Sequence, residues 1–582
     1  MPLYSGFHGH DDLPDFLQIH YIKLKQRIGL IHKERNSTLK WHIILVIIST
    51  LLTTGTLGVQ ASELPERAAE EKPPLSSVEN IFVRKIRLEG NTLFSAETLS
   101  AIIGPYENRE VTAQALEELR EKLTRYHIDN GYISSGAILP DQAVENGEIT
   151  FRIIEGRLTG AEISGNQRLR THYIRSRLRL DRDIGQSPLN IFTLRERLRL
   201  LRQDAHIRSI SAELRPGLQQ GEADLKVEIK EARPWQATFR FNNHNAPTIG
   251  PYRGEIGIRH NNLSGWGDTL AAGYALTEGL DEYFFTWAVP LNRRDTVLSI
   301  GFDRSETVVV TAPFEDLDIR SDTTTCTVSL RHPFYKTPSG ELAAGISFEN
   351  RQSESELLGE GFAFSEGAEP DGESEISVWR LSQEWIDRSY DQVIVARSAF
   401  GFGVDMLGAT VRDSEPDGQF LTWLGQFHWI RRLKLLESKF LFRSALRLSD
   451  DPLPAMEKFA IGGSDTVRGY RENQITTDNG LIASAEWRVP VYQLRIPAIS
   501  RNPEDGRIQI CPFFDFGMGW NTESADPDPD NISSLGLGLR WDISDKFRAE
   551  IYWGHGLRDY DNSDEHDLQD DGIHFQIFAQ VF

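Results

Sequence analysis

Two hydrophobic rhythms divide this chain. Between Ile81 and Glu231, short alternating runs frame stretches in which apolar residues recur every three or four positions. Leu116, Leu119, Leu123 and Tyr126 form one such stripe, and Leu194, Leu198 and Leu201 another. That spacing predicts two amphipathic helices, the first opening at the N-cap candidate Thr112. From Trp235 to the end the period shortens to two. The alternation predicts eleven strands, at 235–243, 253–260, 267–276, 281–290, 295–305, 318–331, 340–353, 376–387, 392–406, 418–431 and 434–447. Five more follow, at 481–490, 507–520, 533–543, 545–555 and 572–582.

Sixteen strands suit a closed membrane barrel, in which an even number brings both chain ends to one side. Closure is demanded because an open edge in lipid would leave backbone groups without partners. If the first strand leaves the inner side, connections after odd strands lie outside. These include 354–375, 407–417, 521–532 and 556–571, which are long and acidic. Connections after even strands, such as 292–294, 432–433 and Ser544, are short. The inner connection 491–506 is long and breaks this rule.

The helical region is an internal repeat. Ile86-x-Leu88-x-Gly90-Asn91 recurs as Glu162-Ile163-Ser164-Gly165-Asn166. Each copy closes with an alternating strand, Ile149-x-Phe151-x-Ile153-x-Glu155 and then Leu225-x-Val227-x-Ile229-x-Glu231. Each unit reads strand, helix, helix, strand, strand.

Composition sharpens this picture at three points. The net charge of −22 argues against nucleic acid, whose phosphates require a basic surface. Cys326 and Cys511 have no metal or redox spacing, and a disulfide between them stays open beside two separate thiols. At the N-terminus, Lys33, Arg35 and Lys40 precede the apolar run Trp41–Leu52, and Val59-Gln60-Ala61 then fits a small-residue cleavage site before Ser62. The run is too short to span a membrane comfortably, so residues 1–61 read as a secretory signal peptide with an extended n-region. Residues 62–80 are polar and acidic with a Pro pair, a solvated linker with little room for an additional helix.

The chemistry concentrates in two segments. Gly462-Gly463-Ser464-Asp465-Thr466-Val467-Arg468-Gly469-Tyr470 is too glycine-rich for a strand and reads as a doubled-back loop carrying a cation at its tip. Phe513-Phe514-Asp515-Phe516-Gly517 places a carboxylate in an aromatic run, where it needs a partner. Arg468 is the candidate. An ordinary glycine-rich hairpin and an unrelated strand aspartate is the bland alternative.

Val467-Arg468-Gly469-Tyr470 resembles the VRGY motif in the sixth extracellular loop of POTRA-bearing outer-membrane barrels, and Phe513-x-Asp515-x-Gly517 resembles their barrel-wall motif. The repeat, with Tyr126, Gly131-Tyr132 and Pro140-x-Gln142, resembles the POTRA domains of two-partner secretion transporters of the haemolysin secretion/activation type. Asn262-Leu263-Ser264-Gly265-Trp266-Gly267-Asp268 resembles a turn of the same family and is read as backbone geometry rather than a ligand site. The resemblance implies a mainly β fold, a 16-stranded transmembrane β-barrel (234–582) preceded by two small α+β POTRA domains (81–157 and 158–233). It implies an outer-membrane pore that captures an unfolded exoprotein client in the periplasm and secretes it, with a barrel assembly/insertion factor as the alternative. Outer-membrane lipid and, during biogenesis, the barrel assembly machinery are the further partners implied. Tyr132, Gln142, Arg195 and Arg199 are the client-binding candidates. For the arginine-rich stretch 168–208, attraction of an acidic client segment and a solvated, salt-bridged helix face both stand. No G-x-S-x-G, H-E-x-x-H or P-loop occurs, so neither an enzyme nor a nucleotide, cofactor or metal site is expected. His244 stands alone among asparagines and reads as structural.

Overall fold

The computed structural model describes Leu75 and residues 80–412, 416–560 and 566–581. The signal segment with Ala61 and Ser62, nearly all of the linker, and Phe582 lie outside the described residues.

The C-terminal part closes into an antiparallel barrel of sixteen spanning strands. The last strand, Ile573–Gln580, pairs with the first, Trp235–Asn242, in the register Gln576↔Asn242 to Gln580↔Thr238. Closure satisfies edges that lipid could not. Alternation then sorts the side chains. Leu535, Leu537 and Leu539 face outward, whereas Ser534 and Arg540 of the same strand are buried inside. On the thirteenth strand, Arg507–Trp520, Phe514 is half-exposed while Phe513 and Asp515 are buried. Among the described residues no helix is long and apolar enough to cross a membrane. The crossing is made by strands.

Most predicted strands shift by up to three residues at an end, and three shift further. The sixth runs Arg320–Lys336 rather than 318–331, because a bulge between Pro333 and Tyr335 exposes both Phe334 and Tyr335 and breaks the alternation. The seventh continues to Leu357, its polar end pairing beyond the apolar belt. The eleventh is Lys439–Ser449, not 434–447. Leu435 and Leu436 are exposed turn residues, and Leu436 has a φ of 55°. The long inner connection persists as 494–506 between the twelfth strand, Asn479–Gln493, and the thirteenth.

Two lobes precede the barrel, each with its own buried cluster. In the first, helices α1 (Ala96–Ile103) and α2 (Ala113–Asp129) cover a sheet of Lys85–Glu89, Glu148–Ile154 and Gly136–Ile138. Thr112 caps α2, its hydroxyl accepting from Ala115 N at 3.1 Å, and Leu116, Leu119 and Leu123 are fully buried. An additional pair, Asn80–Val83 with Arg109–Thr112, departs from the expected unit. The second lobe has three helices, α3 (Thr171–Leu178), α4 (Leu180–Asp183) and α5 (Ile191–Gln203), over the sheet Arg157–Ser164, Glu222–Glu231 and Ile207–Pro216. It docks on inner turns of the barrel. Arg177 pairs with Asp295, Gln203 donates to the Pro338 carbonyl at 3.1 Å, and Arg170 stacks on Trp266 at 4.5 Å.

Candidate functional site: a loop pinned inside the barrel

Residues 450–478, between the eleventh and twelfth strands, fold back into the lumen. Phe459–Ile461 and Ile475–Thr477 pair as a small hairpin, and Gly462 and Gly463 turn the chain between them. Val467, fully buried, packs with Ile461, Ile475, Ile482 and Ile532. This apolar knot inside a polar lumen holds the tip against the wall. Gly517 leaves the room, since a Cβ there would lie 2.3 Å from Ile461 and 2.8 Å from Val467.

Arg468 then meets the wall. Its Nε donates to Asp515 Oδ2 at 2.8 Å and its Nη2 to Oδ1 at 3.0 Å, a two-pronged contact, while its backbone N–H donates to Oδ2 at 3.1 Å. Nη1 donates to Glu486 on the twelfth strand, and Nη2 reaches Ser484 Oγ at 3.3 Å. The guanidinium lies 3.6 Å from the Phe513 ring centre and 4.7 Å from that of Tyr552. Asp515 is fully buried and Arg468 is 4% exposed, so both charges depend on each other. Glu486 is shared with Arg488, which leaves two cations facing two carboxylates. Such a balanced cluster is tolerable inside, whereas any single member alone is not.

The rest of the motif locks the tip sideways. Gly469, at φ 90°, rests on the backbone of Gly554, where a Cβ would come within 2.8 Å, and its N–H donates to His574 Nε2 at 3.1 Å. The Tyr470 hydroxyl lies 3.0 Å from the carbonyls of Ser533 and Arg558. Arg471 forks onto Asp570 at 2.6 and 2.8 Å. Gln569 accepts from Glu472 N at 2.8 Å and donates to the carbonyls of Asn243 and Asn245 at 2.8 and 2.7 Å. His244 is not alone, since its ring centre lies 6.4 Å from that of His574.

A second anchor lies on another part of the wall. Glu457, fully buried in the first limb of the loop, takes Arg380 at 2.6 Å and Arg447 at 3.0 Å, with Arg351 at 3.9 Å. Arg351 also donates to the Met456 carbonyl at 2.6 Å. These arginines stand on the seventh, eighth and eleventh strands, so the loop bridges the lumen between two charged walls. Beside it lies a cavity of about 910 Å³ lined by polar and charged residues, among them Gln236, Arg259, Glu349, Arg397 and Gln509.

Sequence reasoning paired Arg468 with Asp515 but missed Glu486, Glu457 and His574. Glu486 and His574 sit at inward positions of alternating strands, a signal present in the sequence but shared by dozens of residues. Glu457 carried no signal, because its three partners come from distant strands.

The client-binding candidates lie apart from this loop and in two different lobes. Tyr132 is half-buried, edge-on to Phe94 with ring centres 5.9 Å apart. Gln142 uses its amide on Thr150, accepting from N at 2.9 Å and donating to O at 2.8 Å, and so holds its own lobe together. Arg195 and Arg199 are exposed on α5, while Arg197 between them pairs with Asp183. Asp268 and Asn262 organise the turn between the second and third strands, accepting from Ser264 N at 2.8 Å and Gly267 N at 3.0 Å. Both cysteines are free, Cys326 exposed and Cys511 buried.

Comparison with known proteins places this geometry. The family model for haemolysin secretion/activation proteins ShlB/FhaC/HecB matches residues 221–541, and that for the ShlB-type POTRA domain matches 81–156. The heme/hemopexin transporter protein HuxB of Haemophilus influenzae (strain 86-028NP) is 23% identical over 88% of this chain and 89% of its own. The outer membrane transporter CdiB of Dickeya dadantii (strain 3937) is 21% identical over 74% of this chain and 80% of its own. Among solved structures, CdiB from Escherichia coli superposes with a TM-score of 0.65 at 18% identity, covering 89% of this chain and 93% of that one.

Proposed function

Since this chain belongs to the haemolysin secretion/activation (ShlB/FhaC/HecB) family and is an outer-membrane transporter of two-partner secretion, with its POTRA lobes in the periplasm, we propose that it passes an unfolded exoprotein through the barrel lumen, past the pinned loop 450–478. The observation that carries this reading is the loop itself. It is held by buried charges on two walls and by one small apolar cluster, so its release into the polar lumen exchanges polar partners rather than dismantling the barrel wall. An extended client has matching needs, because its unpaired N–H and C=O groups require polar walls on the way.

The lobes at residues 81–157 and 158–233 are the capture unit. In the first lobe the strand Gly136–Ile138 and in the second the strand Ile207–Pro216 lie at sheet edges, where an unfolded client can add a strand. Exposed Arg195 and Arg199 offer attraction to acidic client segments, whereas Tyr132 and Gln142 act by shaping the first lobe. The N-terminal segment directs export, with cleavage between Ala61 and Ser62, and the barrel assembly machinery inserts the chain. Membership of a secretion family argues against the assembly-factor alternative.

Deleting residues 81–157 tests the capture step. The two lobes have separate buried clusters, so the barrel should still insert while secretion of the partner exoprotein is lost. Secretion at the wild-type level from the shortened chain would refute capture by this lobe.

A further inference from the structure

Where the second lobe meets the barrel, the Arg177–Asp295 ion pair sets three exposed arginines, Arg179, Arg293 and Arg294, on the two sides of one junction. Asp295, in the turn 291–296, is occupied by Arg177 of α3 and by Lys336 at 2.7 Å. Its neighbours Arg293 and Arg294 are exposed. Arg179 lies two residues beyond Arg177, exposed, in the left-handed conformation (φ 57°) that ends α3. Partial burial and then the repulsion of Arg197, Arg293 and Arg294, opposed in part by Asp183, push the Arg179 guanidinium below its ordinary value. Asp183 nearby already accepts from Arg197. Among the described residues, none of Arg179, Arg293 and Arg294 takes part in an ion pair, although the whole chain carries a net charge of −22. Like charges gathered at one junction repel one another, and an anion from outside relieves that repulsion.

The position of the cluster says which anion. The turn 291–296 follows the fourth strand, Leu280–Pro290, at the periplasmic end of the barrel. At that same end Leu291, Phe334, Tyr335 and Leu342 are exposed, the first in the turn itself and the others on the neighbouring sixth and seventh strands. Exposed aromatic and apolar side chains at a barrel rim mark the level of the lipid headgroups. The arginines are therefore set beside the headgroup phosphates of the periplasmic leaflet, and the guanidinium fork matches phosphate oxygens in a way an ammonium does not.

We propose that Arg179, Arg293 and Arg294 form a binding site for the phosphate of an anionic phospholipid in the periplasmic leaflet of the outer membrane. One arginine comes from the second lobe and two from a barrel turn. A lipid held by all three therefore bridges the lobe to the barrel beside the Arg177–Asp295 pair, and it fixes the lobe beneath the lumen entrance.

The test uses the full chain purified in detergent and offered phosphatidylglycerol or phosphatidylethanolamine, with bound lipid counted by native mass spectrometry. Wild type should retain phosphatidylglycerol in preference to phosphatidylethanolamine by about tenfold or more, and added salt should weaken the preference. The triple variant Arg179→Gln/Arg293→Gln/Arg294→Gln should lose it. Arg208→Gln/Arg215→Gln, which removes two charges from the strand Ile207–Pro216 of the same lobe, should keep it. Heat-modifiable migration of each variant reports an intact barrel. Equal retention of phosphatidylglycerol by wild type and triple variant overturns the proposal, as does a wild type with no preference. A triple variant that keeps the lipid preference but loses secretion would assign the cluster to an acidic segment of the exoprotein, and that too overturns it.

Discussion

Removing Arg468 should hurt more than removing Asp515, although they form one pair. Asp515 is fully buried, and among the described residues every hydrogen bond to its carboxylate comes from residue 468, two from the guanidinium and one from the backbone. In Arg468→Ala the carboxylate keeps only that backbone donor, a cost on the order of 3–5 kcal/mol for a buried charge that has lost its partner. Glu486 fares better in that variant because Arg488 still holds it. In Asp515→Ala the arginine retains Glu486 and the faces of Phe513 and Tyr552, so the loss should be nearer about 1–3 kcal/mol. The double variant removes the orphaned carboxylate and should be no worse than Arg468→Ala alone, with a coupling energy on the order of 1–3 kcal/mol. Arg468→Lys should rescue partly, since one ammonium cannot serve Asp515 and Glu486 as a fork does. The assay is a double-mutant cycle read twice. Urea unfolding of the detergent-solubilised barrel measures stability, and secreted exoprotein normalised to barrel level measures function. If the two single effects add to within about 0.5 kcal/mol, these residues do not act as a pair and the reasoning fails.

Two other outcomes follow from the same geometry. Glu457→Gln should loosen the first limb of the loop while leaving Val467 to Tyr470 docked, because it removes the charge that Arg447 and Arg380 share, leaving Arg380 only Glu349, without touching the Asp515 side. Limited proteolysis should then cut near residue 457 and spare the tip, and a cut at the tip instead would mean the two anchors are one unit. In the second lobe, burial pushes the Asp204 carboxyl up, but hydrogen bonds from His206 and Tyr173 and the charge of Arg177 outweigh it and hold the carboxyl well below the usual range. A depressed carboxylate stabilises the fold above its unfolded value of about 3.9, and that stabilisation is lost as pH falls below it. Wild-type stability should therefore drop below about pH 4, and Asp204→Asn should flatten that drop; an equally steep drop in the variant would exclude Asp204 as its source.

What the sequence determined by itself was whatever depends on local period. Alternation over Leu535, Leu537 and Leu539 marks a lipid-facing row without any knowledge of neighbours, because side chains of a strand must point to opposite faces. The spacing of Leu116, Leu119 and Leu123 marks a buried helix stripe for the same kind of reason. Strand number and the outward position of the loop followed from counting such rows. Period failed wherever a local irregularity reset it, as at the Pro333 bulge, or where apolar residues served a turn, as at Leu435 and Leu436. Tertiary structure alone decided the charge pairings across the lumen. Glu457 meets arginines from three strands, Glu486 is shared by Arg468 and Arg488, and Gly469 touches Gly554 and His574 across more than eighty residues of chain. Barrel closure brings these residues together, and the pairing of the last strand with the first leaves no trace in the spacing of either.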